Sequence, residues 1–311
     1  MSAAKSCPTL AELNKLKHAP SSIFAEHPAI GTATVEGLAC AVPYHNYDSD
    51  ALIIWGAADP SWVQARLRGP WRPLLDKDGR ALVSLWVVDY KDTVINPYKE
   101  LIIAFSVVHT SKPDPGRVTS PHQQLQLFDD KQASPYIYKL WLDQQLPITY
   151  GRDLLGCDKY LDEKMGLQFD GPNATFEFRH VEGELHVAGA GPLLKGSLKL
   201  REGTHLRQLI GAYGLTRTLG MALGASGKWH VVNPPGVMAR PDTASVNPVW
   251  TFAYETTPKF TSARESDDLV YGGELADMGF KASLYQHDAH LKGVLLPPWS
   301  FTPVERTSSR A

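Results

Sequence analysis

The sequence predicts an α+β domain built on one large antiparallel sheet or barrel, and three observations carry that prediction. Runs of β-branched and aromatic residues bounded by Gly, Pro, Asp or Asn dominate the chain. Several of these runs lie close together with only turn residues between them, which favours antiparallel pairing, because parallel strands need a crossover of a dozen or more residues. No linker divides the 311 residues convincingly, and a hydrophobic content of 43% is enough for a real core.

In chain order, the strand signals are Ala51–Trp55, Ala81–Asp89, Leu101–Val108, Tyr136–Leu142 and Ala174–Phe178, with further strands near Val249–Tyr254 and Lys281–Tyr285. Helices are fewer. Asp59 reads as an N-cap with Pro60 at the first helical position, starting a short surface helix that runs to Leu67 and stops before Gly69-Pro70. A second helix is predicted from Gln145 to Leu155, with Pro147 in its first turn, a buried stripe of Ile148, Tyr150, Leu154 and Leu155, and Gly156 as the residue that ends it. Apolar residues at helical spacing from His205 to Leu223, interrupted by Gly211, Gly214 and Gly220, predict a third. The Pro-rich piece from Asn233 to Pro248 reads as a long loop.

Composition excludes several classes of function. Lys plus Arg is 31 and Asp plus Glu is 33, interspersed to a net charge of −2, so there is no basic tract to follow a phosphate backbone and nucleic acid is not an expected partner. The longest apolar stretch, Leu101 to Val108, is far short of the about 20 residues of a membrane span. Met1 to His18 alternates polar and apolar residues and lacks the apolar core of a secretion signal. Cys7, Cys40 and Cys157 fit neither a disulfide framework nor a zinc pattern. These features set a cytoplasmic expectation, in which Asn173-Ala174-Thr175 is a chance glycosylation sequon.

Most motif-like segments have bland explanations. Gly224 to Trp229 lacks the first Gly and the Ser/Thr of a phosphate loop and reads as a turn. His287 and His290 would share a helical face, but in a strand they point to opposite sides of the sheet, so no metal site is expected. Trp55, Trp62, Trp71, Trp86 and Trp141 read first as core. One segment stands apart: Gly151-Arg152-Asp153-Leu154-Leu155-Gly156-Cys157-Asp158-Lys159-Tyr160. A lysine beside an aromatic residue just beyond an apolar helix can be desolvated, and a desolvated lysine becomes a neutral, nucleophilic amine.

This segment resembles the acetoacetate decarboxylase family, whose members carry Gly-Arg-Glu, four further residues and Pro-Lys-Lys after a strand ending in an acidic residue. Aligned on Gly151 and Arg152, the family's Schiff-base lysine falls on Lys159. Tyr98-Lys99-Glu100 before the strand Leu101–Val108 is similar to the family's Tyr-x-Glu, which places an active-site glutamate on Glu100. The run from Asp268 through Leu275 to Pro297 is similar to the family's last strands. The spacing between glutamate and lysine is longer here, through a loop-rich insertion around Ser111 to Pro135. The second lysine of the family motif is Tyr160, the Pro before the lysine is Asp158, the family's first glutamate falls at Leu85 or Trp86, and no arginine stands near Asp48 to Asp50.

The resemblance covers roughly residues 40 to 300, and with no dividing linker the chain reads as a single domain over residues 1–311, with 1–35 as an N-terminal extension and 304–311 as a frayed tail. It implies a cone-like β-barrel, a homo-oligomer, and cofactor-free imine chemistry on a keto acid or other carbonyl substrate. Lys159 is then the nucleophile, Glu100 the acid and base, and Tyr160 a candidate proton donor near the imine in aldol or dehydration chemistry. Trp86 and Tyr98 would line the pocket, and Arg152 would bind substrate or pair with Asp158. The open alternatives are a non-catalytic barrel holding a small hydrophobic ligand, or a different chemistry on the same fold.

Overall fold

The structure is a computed structural model and describes residues 23–130, 132–152, 159–179, 181–182, 185–186, 191–200, 222–223, 229–232, 236–239, 246–256, 259–264 and 267–296. The N-terminal segment, Cys7, Cys157, Asp158, the tail and nearly all of the predicted helix 205–223 lie outside these residues, as do 224–228 of the turn before Trp229.

A hairpin of β1 (Gly31–Val35) and β2 (Leu38–Val42) turns through Glu36 and Gly37, both with positive φ, a conformation that glycine adopts without strain. The long strands follow: β3 (Tyr44–Ala58), β4 (Trp71–Pro73), β5 (Ala81–Thr93), β6 (Tyr98–His109), β7 (Ser134–Leu142) and β8 (Lys159–Leu161). After β9 (Gly166–Asp170), β10 (Asn173–Arg179), β11 (Val181–Glu182), β12 (Leu185–His186) and β13 (Pro192–Lys199) come β14 (Ala222–Leu223), β15 (Trp229–Val232), β16 (Gly236–Ala239) and β17 (Val246–Thr256). The last three are β18 (Lys259–Ser262), β19 (Asp268–Tyr271) and β20 (Lys281–Leu296).

Twelve strands form one sheet in the order β14-β15-β17-β16-β7-β6-β5-β3-β20-β18, with β4 on β6 and β8 on β7. Its pairings are antiparallel except β7 with β8 and β7 with β16. β17 pairs with β16 near its start and with β20 through Thr251–Glu255. A four-stranded sheet, β19-β13-β10-β9, packs over one face, where Phe176, Phe178 and Leu193 join Leu52, Leu85, Ile103, Phe105 and Trp141 in the largest buried cluster. The other face gathers Ala51, Val88, Tyr90, Tyr98, Ile102 and Leu140 in a second cluster. Successive residues of a strand point to opposite faces, so β6 divides itself between the two: Leu101, Ile103 and Phe105 to the first, Tyr98, Ile102 and Ala104 to the second.

Each predicted strand is present, and most run longer. The polar start of β3 is strand because its side chains find partners: Asn46 donates to the Ser49 hydroxyl at 2.8 Å and to the Leu291 carbonyl at 3.3 Å. Helices are short: α1 (Ile23–Glu26), α2 (Pro60–Gln64), α3 (Pro121–Asp129), α4 (Gln145–Tyr150) and α5 (Gly273–Asp277). In α2 the Asp59 carboxylate accepts from the Trp62 amide at 2.7 Å, as an N-cap should. The insertion at 111–135 is not all loop. Ser120 caps α3, which buries Leu127 and Phe128 against Leu74 and Val108. The Pro-rich piece 233–248 also contains β16. Among the described residues no helix is long and apolar enough to cross a membrane.

Candidate active site

The second face of the sheet, ahead of α4, holds a cavity whose chemistry centres on Lys159. Strand β8 extends β7 in parallel, matching Leu140 with Lys159, Trp141 with Tyr160 and Leu142 with Leu161. This register sends Lys159 to the face of Leu140 and Tyr160 to the face of Trp141. Asp162 fixes the end of the strand, donating its amide to the Leu142 carbonyl at 2.7 Å and accepting from the Arg179 amide at 3.0 Å. The lysine stem crosses Gly151, where a Cβ would stand 2.4 Å from its Cε, so glycine leaves the space the side chain occupies.

The Lys159 ammonium meets the Glu100 carboxylate at 3.1 Å, with side-chain exposures of only 8% and 4%. An ion pair this dry holds together only with further hydrogen bonds to its charges. Three tyrosines stand beside it. Tyr90 and Tyr98 stack with centroids 4.4 Å apart, and the Tyr98 and Tyr44 hydroxyls lie 3.0 Å apart. Burial pushes all three phenols well above their usual range, and the Glu100 charge, which Tyr90 hydrogen-bonds, adds to the effect. They therefore remain neutral hydrogen-bond groups around the carboxylate. Tyr150, on α4, donates to the Ala41 carbonyl at 3.0 Å and sets its ring edge-on to Tyr44.

Apolar side chains make up most of the remaining wall, among them Ile53, Trp86, Ile102, Pro147 and Leu291. Asp288 on β20 is the other charged group there. It is fully buried, accepts from the Thr256 hydroxyl at 2.9 Å and the Gln286 amide at 2.8 Å, and burial raises its carboxyl to about 6.

The structure thus brings together four of the six residues singled out in the sequence: Lys159, Glu100, Trp86 and Tyr98. It does not bring Tyr160 to them. Its ring tilts against Trp141 at 6.0 Å on the opposite face, with the Lys139 ammonium 5.8 Å above it. Nor does Arg152 enter the cavity; it is exposed and its guanidinium donates to the Lys159 carbonyl at 2.6 Å. Asp48 and Asp50 instead bind His290 and Lys91, at 3.1 and 2.5 Å. His287 is buried against Phe169, and no group of three or more potential metal ligands occurs among the described residues. Sequence reading placed Tyr150 in the buried stripe of a helix without assigning it to the site, and missed Tyr44, Tyr90 and Asp288. Period-two alternation from Trp86 through Val88 was the available signal for Tyr90; Tyr44 and Asp288 carry none that is local.

No sequence-family model matches the chain, and no curated protein does. Solved structures do. Acetoacetate decarboxylase from Legionella pneumophila superposes with a TM-score of 0.52 at 12% identity, covering 95% of this chain and 96% of that one. A second acetoacetate decarboxylase structure gives 0.47 at 15% identity over 82% and 87% of the two chains. An acetoacetate decarboxylase-like enzyme from Sphingomonas wittichii gives 0.44 at 13% identity over 85% and 97%. With the superposition on the first spanning nearly the whole of both chains, this chain has the acetoacetate decarboxylase fold.

Proposed function

We propose that the protein is a cofactor-free lyase that forms a Schiff base between Lys159 and a keto acid or other small carbonyl compound. The observation that carries this reading is the buried contact of the Lys159 amine with Glu100 at 3.1 Å, inside a largely apolar cavity. Within that contact one proton can pass from nitrogen to oxygen without a change in net charge.

The free amine adds to the carbonyl carbon, and loss of water gives a protonated imine. That imine accepts the electron pair released when a neighbouring C–C bond breaks, as in decarboxylation or retro-aldol cleavage, or when an α C–H bond breaks and the resulting enamine expels a β-hydroxyl, as in dehydration. Loss of water spends the proton held by Glu100, which takes up another from solvent and delivers it to the enamine carbon; hydrolysis of the imine then releases the product. Tyr90 and Tyr98 hold the carboxylate in place while its charge changes. The return of β17 onto both β16 and β20 supports a sheet curled into a cone-like barrel around this cavity.

Incubation with a panel of β-keto and α-keto acids plus borohydride, followed by peptide mass spectrometry, tests the reading. The expected result is a reduced adduct on the peptide containing Lys159, lost in Lys159→Ala. A folded protein that gives no adduct with any carbonyl compound rules it out.

A further inference from the structure

Asp288 has no place in the chemistry above, yet it is the least hydrated charged group of the cavity. Its two oxygens accept from two neutral donors, Thr256 and Gln286. No Lys, Arg or His among the described residues pairs with it, whereas Lys159 and Glu100 already neutralise each other. Its neighbours along the wall, Ala51, Ile53 and Leu291, are apolar. A buried carboxylate is costly unless a cation meets it. Among the described residues no cation meets this one, and it lines the cavity.

Strand register places it. Asp288 lies opposite Ala51, Ala51 opposite Val88, and Val88 opposite Glu100, all on one face. Three strand spacings amount to about 14 Å along a flat sheet, and less across a concave one. The two carboxylates therefore stand three strands apart along one apolar cavity, one committed to the lysine and one with no cationic partner among the described residues.

We infer that Asp288 is a specificity-determining residue that receives a cationic amino or guanidino group at the far end of the substrate, while the carbonyl end reaches Lys159. The substrate class is then an amino- or guanidino-bearing ketone or keto acid. This rests on the proposed function only for the position of the carbonyl. A cation subsite at Asp288 stands by itself.

The test separates the two. Thermal shift and calorimetry with n-butylammonium and 1-butanol, isosteres without a carbonyl, are run on the wild-type chain and on Asp288→Asn, with circular dichroism confirming the fold. The expected result is at least tenfold tighter binding of the ammonium by the wild type and near-equal binding of the two by the variant. Equal binding of both probes by the wild type overturns the inference without any variant. So does an ammonium preference that survives Asp288→Asn. Borohydride trapping of 2-pentanone on Lys159 is measured separately: if it fails while the ammonium preference holds, the Schiff-base reading falls and the subsite remains.

Discussion

The two faces of the central sheet are built from the same strands and are opposites in chemistry. On one, Phe105, Trp141, Leu85 and Ile103 pack under the four-stranded sheet, and the charged pair there, Lys139 with Glu274, sits at the margin, partly exposed. On the other, Lys159, Glu100 and Asp288 are buried among tyrosines and aliphatic side chains. Buried charge needs stability supplied from elsewhere, and in this molecule it comes from the face one residue away along the chain. The proposed site and the stabilising core are thus separated by the pleat rather than by distance.

The sharpest way to break that separation is to alter one residue on each side of β6. Glu100→Gln should lower turnover or imine trapping by about 100- to 10,000-fold, the range for a lost acid–base group. Phe105→Ala should instead cost about 3–5 kcal/mol of stability in denaturant melts while the folded fraction still traps ketone. A variant in which the two effects exchange places would refute the division.

Asp288 gives a pH-dependent version of the same contrast. Its carboxyl rises from an ordinary 3.8 to about 6 in the fold, so between those values the native chain keeps a proton that the unfolded chain has released. Stability from this group is therefore lost as pH rises from about 4 to about 6, by about 3 kcal/mol in total, and is level above that. Asp288→Asn should gain on the wild type by that amount between pH 4 and pH 7 in parallel urea titrations. A difference independent of pH would contradict it.

Smaller changes sharpen the position of the amine. Gly151→Ala puts a methyl group where the Lys159 stem lies, and because that stem is flexible the fold should hold while the amine moves. Trapping should fall about tenfold, equivalent to about 1.4 kcal/mol, with little change in melting temperature. Tyr160→Phe, on the stabilising face, should leave trapping unchanged; a clear loss would mean that its hydroxyl reaches the imine after all.

Much of this was legible in the sequence, for physical reasons. The strands announced themselves by β-branched and aromatic runs, and the pair of Lys159 and Glu100 was recovered by motif resemblance. Tyr160 was misplaced because Lys159 to Leu161 was read as a helix exit rather than a three-residue strand, and in a strand adjacent residues cannot share a face. Asp288 was invisible for a different reason. What marks it is its burial with only neutral partners among the described residues, and that is a property of the folded neighbourhood, not of the residues beside it in the chain. The helix Pro121–Asp129 carried a legible cap, Ser120-Pro121, hidden among turn formers.

The short parallel ladder that carries Lys159 has a consequence for motion. Lys159 is tied to the sheet through three matched positions of β8, whereas Glu100 sits in β6 between two long antiparallel neighbours. Opening of β8 alone would withdraw the amine while the acid stays fixed, so amide protons of Lys159–Leu161 should exchange with solvent far sooner than those of Glu100–Ile103. The buried pair of Lys159 and Glu100 would then dissociate by local fluctuation long before the sheet melts, and in the proposed reaction the fraction of time spent closed would set an upper bound on how fast a carbonyl compound is captured.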